Sequence, residues 1–303
     1  MSIIESLLVI LAIIFVGIIC ERRKFISHNQ IEGFEIYLFK IAMPCYLFSS
    51  ILRHDLATLI QPQYIFGYLC SFFAIALIIF CYFYRKGNLS SITLKILSSV
   101  YVNTAIYVLP IITFLLGDPI AGVIGNLAQV LLIQPVFIAI LSFINHKEKS
   151  IVSRIIAVIS APLVAMPIIG LLFNYLHFTP PEIIYSVIEI FGNGASSIAL
   201  FVFGLTLGAI KISKEDLSKD LLFIVFIKNF MHPLIAFYIG KYIFSLDGYW
   251  LNSLVICASA PPAFIVYLIA KQFSSEKDLV KKIIAISSVV SLVSLVIIIL
   301  MLR

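Results

Sequence analysis

Residues 250–270 read Trp-Leu-Asn-Ser-Leu-Val-Ile-Cys-Ala-Ser-Ala-Pro-Pro-Ala-Phe-Ile-Val-Tyr-Leu-Ile-Ala. The run is apolar and long enough to cross a bilayer, which takes about 20 helical residues. Two adjacent prolines, Pro261 and Pro262, interrupt it in the middle. Proline has no amide donor, and its ring collides with the carbonyl four residues back. The stretch therefore predicts a membrane span broken at mid-depth, with the carbonyls of Cys257 and Ala258 released. Lipid cannot satisfy such groups, so they must face protein or a water-filled site.

The rest of the chain has the same character. Of its 303 residues 62% are apolar and 12% charged, against about 45–50% and about 25% in soluble domains. A soluble enzyme has too little interior for this much apolar surface, and a disordered or disulfide-stapled chain is excluded as well. The five cysteines are scattered through apolar runs with no CxxC pair and read as packing residues. Ten apolar runs follow one another: 3–20, 34–52, 64–84, 93–116, 119–144, 155–176, 183–209, 221–244, 250–270 and 279–302. The first lacks a basic flank ahead of it and a small-residue cleavage site, so it reads as a span and not a leader. The expected fold is an all-α integral membrane protein of ten transmembrane helices.

Charge placement gives the orientation. Loops after the odd-numbered spans hold sixteen Lys and Arg, among them Arg22-Arg23-Lys24, Lys95, Lys147, Lys149, Arg154, Lys211 and Lys214, while the opposite side holds Arg53, Lys241 and Arg303. Basic loops stay in the cytoplasm, so both termini of this multi-pass chain are expected outside. The net charge of +6 is thereby a topology signal and does not call for a nucleic-acid partner.

Spans one and six, three and eight, and four and nine are each offset by about 152 residues, which divides the chain into halves, 1–149 and 150–303, joined at 145–154. Five spans per half is odd, so the second half enters the membrane inverted, as in many secondary transporters. Pro110 on the fourth span corresponds to Pro261-Pro262 on the ninth and predicts a second break, over 106–110. The half-helices after the two breaks would each present an amino-terminal end, carrying roughly +0.5 charge and suited to an anion. The released carbonyls could hold a cation instead.

Asn103-Thr-Ala-Ile-Tyr-Val-Leu-Pro110 resembles the Asn-x-x-x-x-Gly-x-Pro motif on the fourth helix of the auxin efflux carrier family. Ala260-Pro261-Pro262-Ala263 with Tyr267-Leu-Ile-Ala270 is similar to that family's ninth helix, and Glu21-Arg-Arg-Lys-Phe with Ile41-Ala-Met-Pro44 to its opening. The likeness runs along the whole chain in order, and the short central loop matches the compact bacterial members. Val108 stands where the family usually has Gly, and Ile265 where many bacterial members have Asn. The resemblance implies a permease for small organic anions such as carboxylates, working by alternating access. It also implies a scaffold of helices 1, 2, 6 and 7, a transport domain of helices 3–5 and 8–10, broken crossing helices 4 and 9, and a homodimer. No cofactor is implied.

The candidate substrate contacts are Asn103, Tyr107 and Pro110 on span four, Asn126 and Gln129 on span five, Lys228 and His232 on span eight, and Ser259, Pro261 and Pro262 on span nine. Ionisable groups inside spans are functional candidates by default. Lys228 either meets the substrate or snorkels to the cytoplasmic surface. Glu189 on span seven is the coupling candidate, with Na+ and H+ both open. A sodium-coupled symporter of the bile-acid type and a receptor or channel stay open as alternatives. The sequence holds no HExxH helix, Ser/His/Asp grouping or Walker motif on which to build an enzyme or an ATPase.

Overall fold

The computed structural model describes residues 3–145, 156, 158–210, 217–273 and 276–301. Among the described residues all regular structure is helical, apart from one isolated antiparallel bridge. In chain order the helices are α1 (Ile4–Arg22), α2 (Asn29–Leu52), α3 (Leu56–Phe83), α4 (Leu89–Val100), α5 (Thr104–Leu116), α6 (Ile120–Ile144), α7 (Pro162–Tyr175), α8 (Glu182–Ala209), α9 (Lys219–Ile243), α10 (Gly248–Ser259), α11 (Ile265–Phe273) and α12 (Lys277–Met301). Seven of them, α1, α2, α3, α6, α8, α9 and α12, are long and apolar enough to cross a membrane. The expected fourth and ninth spans each come as two short pieces, α4 with α5 and α10 with α11. The sixth is represented by the 14 residues of α7. The junction at 146–155, with Lys147, Lys149 and Arg154, lies outside the described residues, as do Lys211, Lys214 and Arg303.

Several prolines inside the helices are accommodated without a break. Of five five-residue π turns among the described residues, four, at Leu38–Ala42, Thr104–Val108, Gln129–Ile133 and Ile227–Met231, have a proline two residues later, at Pro44, Pro110, Pro135 and Pro233, and the fifth, Ile239–Ile243, does not. A π turn loops out one extra residue, which moves the carbonyl ahead of the ring out of its way. Pro110 is accommodated by this means at the start of the α-helical part of α5. The break expected over 106–110 therefore falls one turn earlier, at Tyr101, Val102 and Asn103. Its cause is tertiary, as the site geometry makes clear.

Contacts divide the chain into two compact units. The first takes in Met1–Gln61, Ala105–Val130 and Arg154–Ile210, and so holds α1, α2, α7 and α8 with most of α5 and the first part of α6. Its tightest seam joins α1 to α8. A Cβ on Gly204 would strike the carbonyl oxygen of Ile14, and one on Gly17 that of Phe201. Gly208, four residues past Gly204, lets the Ile18 carbonyl approach to 3.0 Å of the same notional atom. Only glycine permits backbones this close, the packing device of helices in lipid. Against α2, Gly170 of α7 meets Ile51, Phe173 packs edge-on to Phe48 at 5.7 Å, and Asn174 Nδ2 donates to the Ile51 carbonyl at 3.1 Å.

The second unit takes in Pro62–Thr104, Leu131–Ser153 and Lys211–Arg303. Within it α3, α9 and α10 pack through Gly67 and Gly240 on Leu246 and Leu254. The Tyr64 ring lies 5.3 Å from that of Trp250. Lys95, counted from sequence as a cytoplasmic loop charge, instead lies on α4 at 7% exposure. Its Nζ sits 4.7 Å from the Phe83 ring centre and donates to Ser91 Oγ at 2.9 Å, and that hydroxyl donates to Glu276 Oε1 at 2.7 Å.

Candidate functional site

The two chain breaks meet inside the second unit. Between α4 and α5 the residues Tyr101–Asn103 are extended, and between α10 and α11 so is the stretch around Pro262. Val102 and Pro262 pair as an antiparallel bridge. The Asn103 N–H donates to the Pro261 carbonyl at 2.8 Å, and the Ala263 N–H donates to the Tyr101 carbonyl at 3.0 Å. Each break thus supplies the partners that the other needs, which is what an unwound backbone in a water-poor interior requires. The Tyr101 hydroxyl is tied to Gln134 Oε1 at 2.7 Å. Tyr101 and Val102 carry no sequence signal of this role, because neither is a helix breaker and their partners lie about 160 residues away.

Both carbonyls that the prolines release find donors. The Cys257 carbonyl accepts from the Ala260 N–H at 3.2 Å, a tightened last turn of α10. The Ala258 carbonyl accepts from Lys228 Nζ at 2.6 Å. Lys228 is 0% exposed, so it does not snorkel. It lies in the π turn of α9, and its Nζ is 3.3 Å from Nδ1 of His232 one turn on. An ammonium has three donors, and among the described residues this carbonyl and this imidazole take up two of them. No carboxylate lies within ion-pair distance of it among them. Its neighbour Asn229 is also 0% exposed, donates through Nδ2 to the Val225 carbonyl at 2.9 Å, and leaves its Oδ1 without a protein partner. Beside Ala258, the Cys257 thiol lies 3.4 Å from the Tyr64 hydroxyl, a polar contact beyond the packing role read from sequence.

The structure therefore brings Asn103, Pro261, Pro262, Lys228 and His232 together around the breaks. Ser259 is buried beside them, with its hydroxyl donating back to the Ile256 carbonyl at 2.8 Å. The other candidates belong to the first unit. There Tyr107 is buried edge-on to Phe203 at 5.2 Å, and Pro110, Asn126 and Gln129 are buried as well. Glu189 is 32% exposed and accepts from Arg53 at 2.7 Å, an ion pair fixing α8 to the end of α2. Arg53, which follows α2, is held above the ordinary guanidinium range by that bond. A second link in this unit joins His54 Nε2 to Asp118 Oδ2 at 2.7 Å.

The sequence has counterparts among known proteins. A family profile described as "Membrane transport protein" matches residues 2–299. An Escherichia coli K12 protein named "Uncharacterized transporter YfdV" is 23% identical over 286 residues, covering 89% of this chain and 88% of its own. A Rhizobium meliloti protein named "Putative malonate transporter" is 21% identical over 288 residues, covering 92% of this chain and 89% of its own.

Proposed function

The chain belongs to the membrane transport protein family, that of the auxin efflux carriers, and from that premise we propose that it moves small organic anions of about malonate size across the cytoplasmic membrane by alternating access. That it is a membrane transporter follows from the family and from its transporter relatives. The observation that carries the substrate class is Lys228. It is a fully buried amine beside two unwound backbones, with a carbonyl and an imidazole for partners and no carboxylate among the described residues. In a low-dielectric interior an anion would be held strongly by such a group. Asn103 adds a carboxamide with both a donor and an acceptor at the other break. The relative named for malonate transport agrees in ligand chemistry.

The mechanism we infer uses ten spans in two inverted halves, 1–149 and 150–303, with both termini outside. Helices 1, 2, 6 and 7 would form a scaffold, and helices 3–5 and 8–10 would carry the site between the two faces of the membrane, in a homodimer. Tyr107, Asn126 and Gln129, on α5 and α6, remain candidates for substrate contact. The test is thermal stability of the purified protein against malonate, succinate, acetate and neutral amides, followed by malonate counterflow in proteoliposomes. A saturable rise with dicarboxylates and counterflow above empty liposomes is the expected result, since a ligand of the folded state stabilises it by mass action. Stabilisation by none of the acids would refute the substrate class.

A further inference from the structure

Carriers that bind anions next to released carbonyls face an electrostatic difficulty, because both present negative charge to the same small space. A cation between them resolves it. Here the sequence removes the amide that would normally bond the Ala258 carbonyl, since Pro262 stands four residues on and has no N–H. The position this vacates on the carbonyl is taken by Lys228 Nζ at 2.6 Å, a bond that is stronger when the donor is an ammonium. Among the described residues, the other groups close to Nζ are His232 Nδ1 at 3.3 Å on its own helix and, on α10, the Cys257 thiol next to Ala258. None of them is a carboxylate that would claim the charge permanently.

We propose that the Lys228 ammonium is a tethered cation occupying the carbonyl site at the α10 break, so that this carrier binds its substrate without sodium or potassium there. The proposal rests on the crossing being the substrate site for its transport consequence, but not for its test on the unliganded protein. A lysine anchored on α9 fills the carbonyl's coordination at no cost in bound ion. It stays in place through the cycle, whereas a metal ion would be carried across with the substrate. The lysine thereby decides between two of the coupling schemes that the sequence leaves open, against a metal ion at this break.

The experiment measures the melting temperature of the purified full chain at constant ionic strength in sodium, potassium and choline chloride, for the wild type and for Lys228→Ala. The wild type should melt at the same temperature in all three salts. The Lys228→Ala protein should melt lower in choline and recover part of the loss saturably in sodium or potassium, as the freed carbonyl takes a metal ion. A saturable sodium-specific rise in the wild type overturns the proposal, and so does a folded variant with no response to either metal. Should Lys228→Ala fail to fold, the wild-type titration alone decides. Malonate added to the wild type separates the two readings. An equal malonate shift in choline and sodium supports both, and a shift that needs sodium overturns the tethered cation but keeps the substrate class. No shift in any salt removes the substrate class, while the sodium titration still judges the lysine.

Discussion

Asn103 and Pro261 are joined through the main chain, the Asn103 N–H donating to the Pro261 carbonyl at 2.8 Å. The carboxamide of Asn103 is thus separate from the bond that holds the breaks together. Asn103→Ala leaves that main-chain bond in place and should keep the fold, at a cost of about 0.5–3 kcal/mol, the ordinary range for a single substitution. It should abolish malonate stabilisation. Asn103→Pro removes the N–H itself, leaves a buried carbonyl unpaired, and should destabilise by about 1–3 kcal/mol. Equal malonate binding in Asn103→Ala and wild type would remove the side chain from the site.

The prolines should separate by position. Pro262→Ala restores an amide able to bond the Ala258 carbonyl, in competition with Lys228. Transport in proteoliposomes should fall at least severalfold while the protein stays folded. Pro110→Ala falls just after a π turn that already accommodates the ring, and should change transport by less than about twofold, under roughly 0.5 kcal/mol.

Close approach at the α1–α8 seam predicts a steric penalty. Gly204→Ala places a methyl group against the Ile14 carbonyl and should destabilise by roughly 1–3 kcal/mol, the usual cost of overpacking. Gly33→Ala on α2 meets nothing within 4 Å and should be neutral or stabilising by up to about 1 kcal/mol. Reversible unfolding in mixed detergent compares the two.

Asp55 caps the first turn of α3, Leu56–Leu59, its Oδ1 accepting from the Thr58 N–H at 3.0 Å. Bonds from Thr58, the side chain's first, hold its carboxyl below the ordinary carboxylate range. A depressed folded-state value means the cap is present above the ordinary carboxylate range and is lost as pH falls through the lowered one. Amide exchange at residues 56–59, corrected for intrinsic rate, should rise on acidification, and Asp55→Ala should exchange fast at every pH.

Single cysteines replacing Lys149 and Arg303 in a cysteine-free background should label from opposite sides of the membrane. The excess of Lys and Arg that the sequence places in the odd-numbered loops, even without Lys95, is the ground for this. Labelling from one side would refute both the orientation and the inverted halves.

The α10–α11 break was legible because proline acts locally: Pro261 and Pro262 name in advance the carbonyls that lose their donors. The α4–α5 break was legible only to within a turn. Pro110 drew attention to the right helix, but Tyr101–Asn103 unwinds because Pro261–Ala263 pairs with it, and a partner so distant leaves no mark on the local sequence. Lys228 was ambiguous for a related reason. The reach of a lysine allows either surface or interior, and only the position of the Ala258 carbonyl decides. Glu189 drew notice as an acid inside a span, yet Arg53, 136 residues earlier, takes it up. Glu189→Gln should accordingly leave malonate affinity and its salt dependence unchanged.

The mutual pairing of Val102 and Pro262 also sets an order of events during synthesis. The two residues are 160 positions apart in the chain, so at about 5–20 residues per second the ribosome delivers the second roughly 8–30 s after the first. Throughout that interval Tyr101–Asn103 has no strand to pair with, and an extended backbone in lipid would cost several kcal/mol per unmet group. A nascent chain released before residue 261 should therefore hold 89–116 as one unbroken helix. The opening at Asn103 should thus form late, once residues 261–263 are in place to pair with it.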